Sequence, residues 1–159
     1  MSETQALPAN GRGRLRFGLV ILLVGLVVYI LGAAPAIMGL DRSPVTGFVQ
    51  ISVFLGGLGL ICIGGYSVLN QFWKGTEKSI AADIGLRLVS TGYVISFASG
   101  LADVFGFGSH PFRSGRLPSI PYFGPLQATG VLVGEIVIII GFLLLIRYPQ
   151  RQHPPEELE

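Results

Sequence analysis

FGPLQATGVLVGEIVIIIGFLLLI, residues 123–146, is the stretch that decides the fold, and Glu135 at its midpoint is its one charged residue. A run of this length without another charge is long enough to cross the hydrocarbon of a bilayer as a helix. A carboxylate at the centre of such a span costs about 3 kcal/mol on insertion scales. Glu135 is therefore expected to face protein or water rather than lipid, and to be neutral or paired. The other spans must supply its surroundings.

Three further spans precede it. The first runs over 17–40, after Arg12, Arg14 and Arg16, and is too long for a signal-peptide core; Ala33-Ala34-Pro35-Ala36 is a weak cleavage-site lookalike, so the span is read as a retained helix with Pro35 near its outer end, where a kink is tolerable. The second covers 46–69 and ends near Phe72 and Trp73, aromatics typical of an interface. The third covers 80–105 and is the most polar, carrying Asp83, Arg87, Ser90, Thr91, Tyr93, Ser96, Ser99 and Asp103. A helix this polar is expected to lie deepest in the bundle or against another subunit. Asp83 and Arg87 are four residues apart, so they share a helix face and are expected to pair. Residues 106–122 form the one substantial loop, rich in proline and aromatic residues, and 1–16 and 147–159 read as disordered tails.

The composition agrees. Of 159 residues, 50% are hydrophobic and 13% charged, and 23 are glycine, which is membrane composition. The connecting segments are too short to build a soluble core, so recognition or chemistry must occur in the bilayer, at its surfaces or through a partner. A net charge of +2 is too small to suggest nucleic acid as a partner, and topology explains the basic residues at span ends. Cys62 is the only cysteine and lies within a span, so neither an internal disulfide nor a thiolate metal cluster is possible. Arg12, Arg14, Arg16, Lys74, Lys78, Arg87, Arg147 and Arg151 fall on one side of the membrane; Arg42, Arg113 and Arg116 fall on the other. The positive-inside rule then puts both termini in the cytoplasm and the 106–122 loop outside, in what is expected to be a prokaryotic plasma membrane.

Small residues recur at every seventh position. The first span has Gly18, Gly25, Gly32 and Gly39; the second has Gly57 and Gly64 after Gln50. The third has Gly85, Gly92, Ser99 and Gly106; the fourth has Gly134 and Gly141 after Gln127. Seven residues is nearly two helical turns, so each set is a stripe along which helix backbones can approach closely. Such a repeat predicts a left-handed four-helix bundle. The second and fourth spans match at an offset of 77 residues, with Gly47, Gln50, Leu55, Gly57 and Gly64 answering to Gly124, Gln127, Leu132, Gly134 and Gly141. The match suggests two duplicated helical hairpins, with chance coincidence among so many glycines as the alternative. Leu58 stands where Glu135 stands in the other half.

At the depth of Glu135 lie Tyr29 in the first span and Tyr93 and Ser96 in the third, the expected members of an intramembrane polar site. Such an acid either holds the bundle in register through hydrogen bonds or serves as a proton or cation site or as a polar anchor for a lipid-like ligand. Gln50 and Gln127 are expected to bond between helices. No Ser-His-Asp set, HExxH or phosphate loop is present, and His110 and His153 lie outside the spans, so no catalytic residues, metal or haem cofactor are expected. The chain is thus expected to be an all-α integral membrane protein and not an enzyme. The first functional expectation is an accessory, scaffolding subunit of a larger membrane assembly, docking through its small-residue faces and outer aromatic loop onto partner subunits or further copies of itself. The alternative is a small oligomeric transporter or channel with Glu135 as its ion- or proton-sensitive group.

Overall fold

The computed structural model describes residues 9–34, 39, 47–73, 77–102, 104–105 and 123–146. Four helices follow in order: α1 (Ala9–Ala33), α2 (Phe48–Phe72), α3 (Ile80–Gly100) and α4 (Pro125–Leu145). Each is long and apolar enough to cross a membrane, and the protein is an integral membrane four-helix bundle. Helices are the form these segments must take, because lipid offers no hydrogen bonds and a helix satisfies its backbone internally.

The helix ends follow from local chemistry. α1 stops at Ala33, ahead of Pro35, since the residue before a proline is disfavoured in helical geometry. It begins at Ala9 rather than near residue 17, so the exposed Arg12, Arg14 and Arg16 stand on its first turns instead of in a tail. Ser79 caps α3 by accepting from the Ala82 amide at 3.2 Å, with Asp83 in the first turn beside the positive end of the helix dipole. α3 ends at Gly100, five residues earlier than the expected limit of 105, and continues into turns at Leu101–Ala102 and Val104–Phe105. α4 opens on Pro125, and the Gly124 amide donates to Gln127 Oε1 at 2.7 Å. At the other end of α4, Trp73 Nε1 donates to the Leu145 carbonyl at 2.9 Å, satisfying an orphan acceptor of the last turn. The expected loop 106–122 and tail 147–159 lie outside the described residues.

The bundle is built from two hairpins. α1 packs along α2 and α3 along α4, and the two pairs meet where α2 touches α3 and, less extensively, α4. Within each pair the glycine stripes face one another. The place of a Cβ on Gly64 is occupied by the Gly18 carbonyl and the Leu22 amide, 2.9 and 2.5 Å away. That of Gly141 is occupied in the same way by the Gly85 carbonyl and the Val89 amide, both 2.7 Å away. Gly57 likewise abuts the Gly25 carbonyl and the Tyr29 amide, and Gly134 the Gly92 carbonyl and the Ser96 amide. Gly25 and Gly92 close the seams from their own sides, against Ile61 and Ile138, and Gly32 lies on Phe54. Counted along the chain, α1 maps onto α3 at an offset of 67 residues and α2 onto α4 at 77, so one packing register occurs twice. The stripe ends with the helix. Gly39 lies beyond α1, is exposed, and adopts φ +66°, a conformation that favours glycine.

α3 is not the deepest helix. Asp83, Arg87, Ser90, Thr91 and Val94 are exposed, whereas α2 buries Ile51, Phe54, Leu55, Leu58 and Cys62 and touches all three other helices. The reason is that the exposed hydroxyls of Ser90 and Thr91 need no neighbour: they donate back to the Leu86 and Arg87 carbonyls at 3.1 and 2.8 Å. Two clusters make the core, one of Ile51, Phe54, Leu55 and Val131, the other of Leu58, Cys62, Val89 and Ile138.

Candidate functional site

Glu135 is the middle residue of the 21-residue α4, one position beyond the glycine that seats α4 on α3. That position turns its side chain about 100° away from the seam. There it meets α1: Tyr29 Oη donates to Glu135 Oε1 at 2.6 Å. Tyr29 is fixed in turn by its backbone, which lies on Gly57, and by its ring, which meets Phe54 edge-on at 6.3 Å between centroids. One hydrogen bond thus spans from the first hairpin to the second, between two helices whose backbones do not otherwise come together. Among the described residues no other donor reaches the carboxylate.

The bond sits at the inner end of a groove of about 460 Å³ between α1 and α4, floored by α2. Tyr29, Gly32 and Ala33 line it from α1, Gln50 and Phe54 from α2, and Phe123, Ala128, Val131, Leu132 and Glu135 from the α4 side. Phe54 and Phe123 meet edge-on at 6.1 Å, so the three rings form a continuous aromatic wall. Glu135 is the one Asp, Glu, Lys or Arg among these lining residues.

The groove exists because the internal repeat is broken there. On the opposite face of the bundle, Ile51 and Leu55 of α2 pack against Gly100 of α3 and fill the corresponding space. The positions equivalent to Ile51, Leu55 and Gly100 are Ala128, Leu132 and Ala33. Ala128 is smaller than Ile51 and leaves the α1–α4 side unfilled, Leu132 stays exposed, and Ala33 adds only a methyl relative to Gly100. Glu135 itself replaces the buried Leu58.

The other residues expected at the polar site divide. Ser96 is fully buried behind the seam, and its hydroxyl donates to the Val131 carbonyl at 3.2 Å rather than to Glu135. Tyr93 lies on another face: its hydroxyl rests against Gly59 of α2, at a second groove of about 380 Å³ lined also by Cys62, Tyr66 and Ser90. The two grooves open in opposite halves of the bundle. Tyr93 points into the α2–α3 contact because Gly59 offers room there, while the α3 face toward α4 is taken up by the glycine seam.

Gln127 does not bond another helix; its side chain folds onto its own helix start, and its buried Nε2 has no partner among the described residues. Gln50 lines the groove. Arg87 and Asp83 lie 2.9 Å apart, both exposed, so the pair contributes little to stability. Among the described residues no group of three His, Cys, Asp or Glu side chains could hold a metal. The groove's aromatic wall and small residues are what sequence reasoning missed. The signal was present in the repeat, in the alanine, Ala128, that stands where the other half has Ile51.

Comparison of the chain with known protein families, with curated proteins and with solved structures finds no match.

Proposed function

We propose that this protein is a small membrane carrier in which Glu135 is the cation- or proton-sensitive group. The observation that carries the reading is the placement of that acid: mid-membrane, held by Tyr29, at the inner end of an open groove. A purely structural acid would be enclosed by donors, since exposing a carboxylate to lipid is costly. A carrier needs the opposite, a carboxylate that is positioned but retains acceptor capacity for a passing ion. The test is flux. Purified protein in vesicles loaded with a pH-sensitive dye is expected to dissipate an imposed proton gradient faster than empty vesicles do, and Glu135→Gln is expected to return the rate to the empty-vesicle value with folding intact. Equal rates for wild type and Glu135→Gln would refute the reading.

A second reading, an accessory subunit of a larger assembly, is favoured by the outward polar face of α3, where Asp83, Arg87, Ser90 and Thr91 are exposed. The small-residue stripes, by contrast, are occupied within the chain's own hairpins and do not offer themselves to a partner. Copurification with heterologous membrane proteins, abolished by substitutions on this α3 face, would support that reading.

The Lys and Arg distribution supports an orientation with both termini cytoplasmic. In a Cys62→Ser background, an impermeant thiol reagent added outside is expected to modify a cysteine at Ser114 and not one at the exposed Glu77. The reverse pattern would invert the topology.

A further inference from the structure

We infer that the α1–α4 groove binds a lipophilic ammonium, a compound with one protonated amine on an apolar body. This rests on the carrier reading and specifies the cargo of the same site. The argument begins with charge. Glu135 is the one Asp, Glu, Lys or Arg among the lining residues, so an ionised carboxylate there has no basic side chain to compensate it. In a medium of low dielectric an uncompensated charge is costly, and a bound cation offsets that cost. Tyr29 donates to Oε1 and so holds the carboxylate as an acceptor, which leaves capacity for an N–H donor from a ligand.

The rest of the lining selects an organic cation over an inorganic one. A hard cation such as calcium or magnesium takes about six oxygen ligands, and a transition metal needs several His, Cys, Asp or Glu side chains, of which the lining holds one. Beyond Glu135, the groove offers the Gln50 amide and the Tyr29 hydroxyl; its other side chains are aromatic, aliphatic or small. Tyr29, Phe54 and Phe123 instead supply the aromatic surroundings that attract an ammonium and cover an apolar body. Size favours a small molecule over a partner helix. About 460 Å³ lies within the usual range for small ligands of about 300–1,000 Å³. A transmembrane helix, about 10–12 Å across with its side chains, would need a channel along the whole bundle. Entry is from the bilayer, because the groove runs between two helices whose outer faces carry exposed Leu26, Leu132 and Ile136.

The repeat supplies one test variant whose new side chain the fold already carries at the equivalent position. Ala128→Ile restores the residue found at position 51 and fills the groove without touching Glu135. Glu135→Gln keeps the shape and removes the charge. The experiment is equilibrium binding of isotope-labelled decylammonium to the full-length protein in phosphatidylcholine nanodiscs, with empty nanodiscs as the partition background. Decanol serves as the neutral probe with the same apolar body. Decylammonium is expected to bind saturably at one per chain, and decanol is expected to show only the background. Glu135→Gln and Ala128→Ile are each expected to weaken binding at least about tenfold, the change that corresponds to roughly 1.4 kcal/mol. Asp83→Asn, at the exposed pair on α3, is expected to leave binding unchanged. Saturable binding of decanol, or decylammonium binding indifferent to Glu135→Gln, would overturn the ammonium assignment, as would no saturable binding at all. Failure of the carrier reading shows separately, as proton flux indifferent to Glu135→Gln in vesicles free of amine.

Discussion

The two lateral faces of the bundle carry equivalent positions and treat them differently. On the α2–α3 face, Leu55 and Ile51 close onto Gly100 and are almost wholly buried. On the α1–α4 face the same positions hold Leu132, Ala128 and Ala33, and a groove remains with an acid at its end. The seams inside the two hairpins, meanwhile, repeat almost atom for atom. What differs between the halves is therefore the filling between hairpins and not the backbone scaffold. A packing register used twice, with one set of matching positions left unfilled, is a simple way to make a site, because the glycine seams hold each hairpin together whatever happens between them.

The largest effect is expected from breaking a seam, and neighbouring glycines provide the contrast. Gly57 lies against the backbone of Tyr29 and Gly25, whereas Gly56 has open space where a Cβ would go. Overpacking costs about 1–3 kcal/mol where side chains can yield. At Gly57 the obstacle is backbone, so Gly57→Leu is expected to exceed that range and separate α1 from α2. Gly56→Leu is expected to be tolerated. Unfolding in denaturant, followed by circular dichroism, distinguishes them; similar midpoints for the two variants would show that the seam is not tight.

Next comes the filling between hairpins. Leu55 is 1% exposed and its repeat counterpart Leu132 is 55% exposed. Leu55→Ala is expected to destabilise by about 2–5 kcal/mol, as deletions from packed cores do. Leu132→Ala is expected to stay within about 0.5 kcal/mol, as exposed substitutions do. Equal losses at the two sites would mean that the groove is closed in the membrane.

The smallest effect belongs to the bond that joins the hairpins. Tyr29→Phe removes the donor to Glu135, and hydrogen bonds inside membranes average about 0.6 kcal/mol. Stability is expected to fall by about that much, while proton flux changes severalfold because the carboxylate loses its positioning. A large stability loss with unchanged flux would make the bond a structural clamp.

Much of this was legible in the sequence. Apolar length and the scarcity of charge named four helices, since lipid allows an uncharged run of this kind little else. The seven-residue spacing of Gly18, Gly25 and Gly32, with Gly85 and Gly92, marked positions that the structure places in the seams. The depth of Tyr29 and Glu135 put them on one level, though depth alone does not fix rotation about a helix axis. That is why Tyr93 and Ser96, equally deep, were grouped with them although they face elsewhere. The polarity of α3 does not place it deepest, for a related reason: Ser90 and Thr91 satisfy themselves on their own backbone, so their exposure costs little. The groove was the least legible feature. It is made by what Ala128 fails to fill and by the outward turn of Leu132, and small residues signal close packing and empty space alike.

The most direct test of the account is to repair the broken repeat. Glu135→Leu and Ala128→Ile restore the residues of positions 58 and 51, and Tyr29→Phe removes the phenol that would otherwise lose its acceptor. Replacing a half-buried polar pair with apolar side chains removes its desolvation cost, and such replacements are often neutral or stabilising. The triple variant, reconstituted beside wild type, is predicted to be at least as resistant to denaturant and to show proton flux no faster than empty vesicles. A variant that fails to fold, or one that folds and still carries protons at the wild-type rate, would contradict the claim that the site is the place where the repeat was broken.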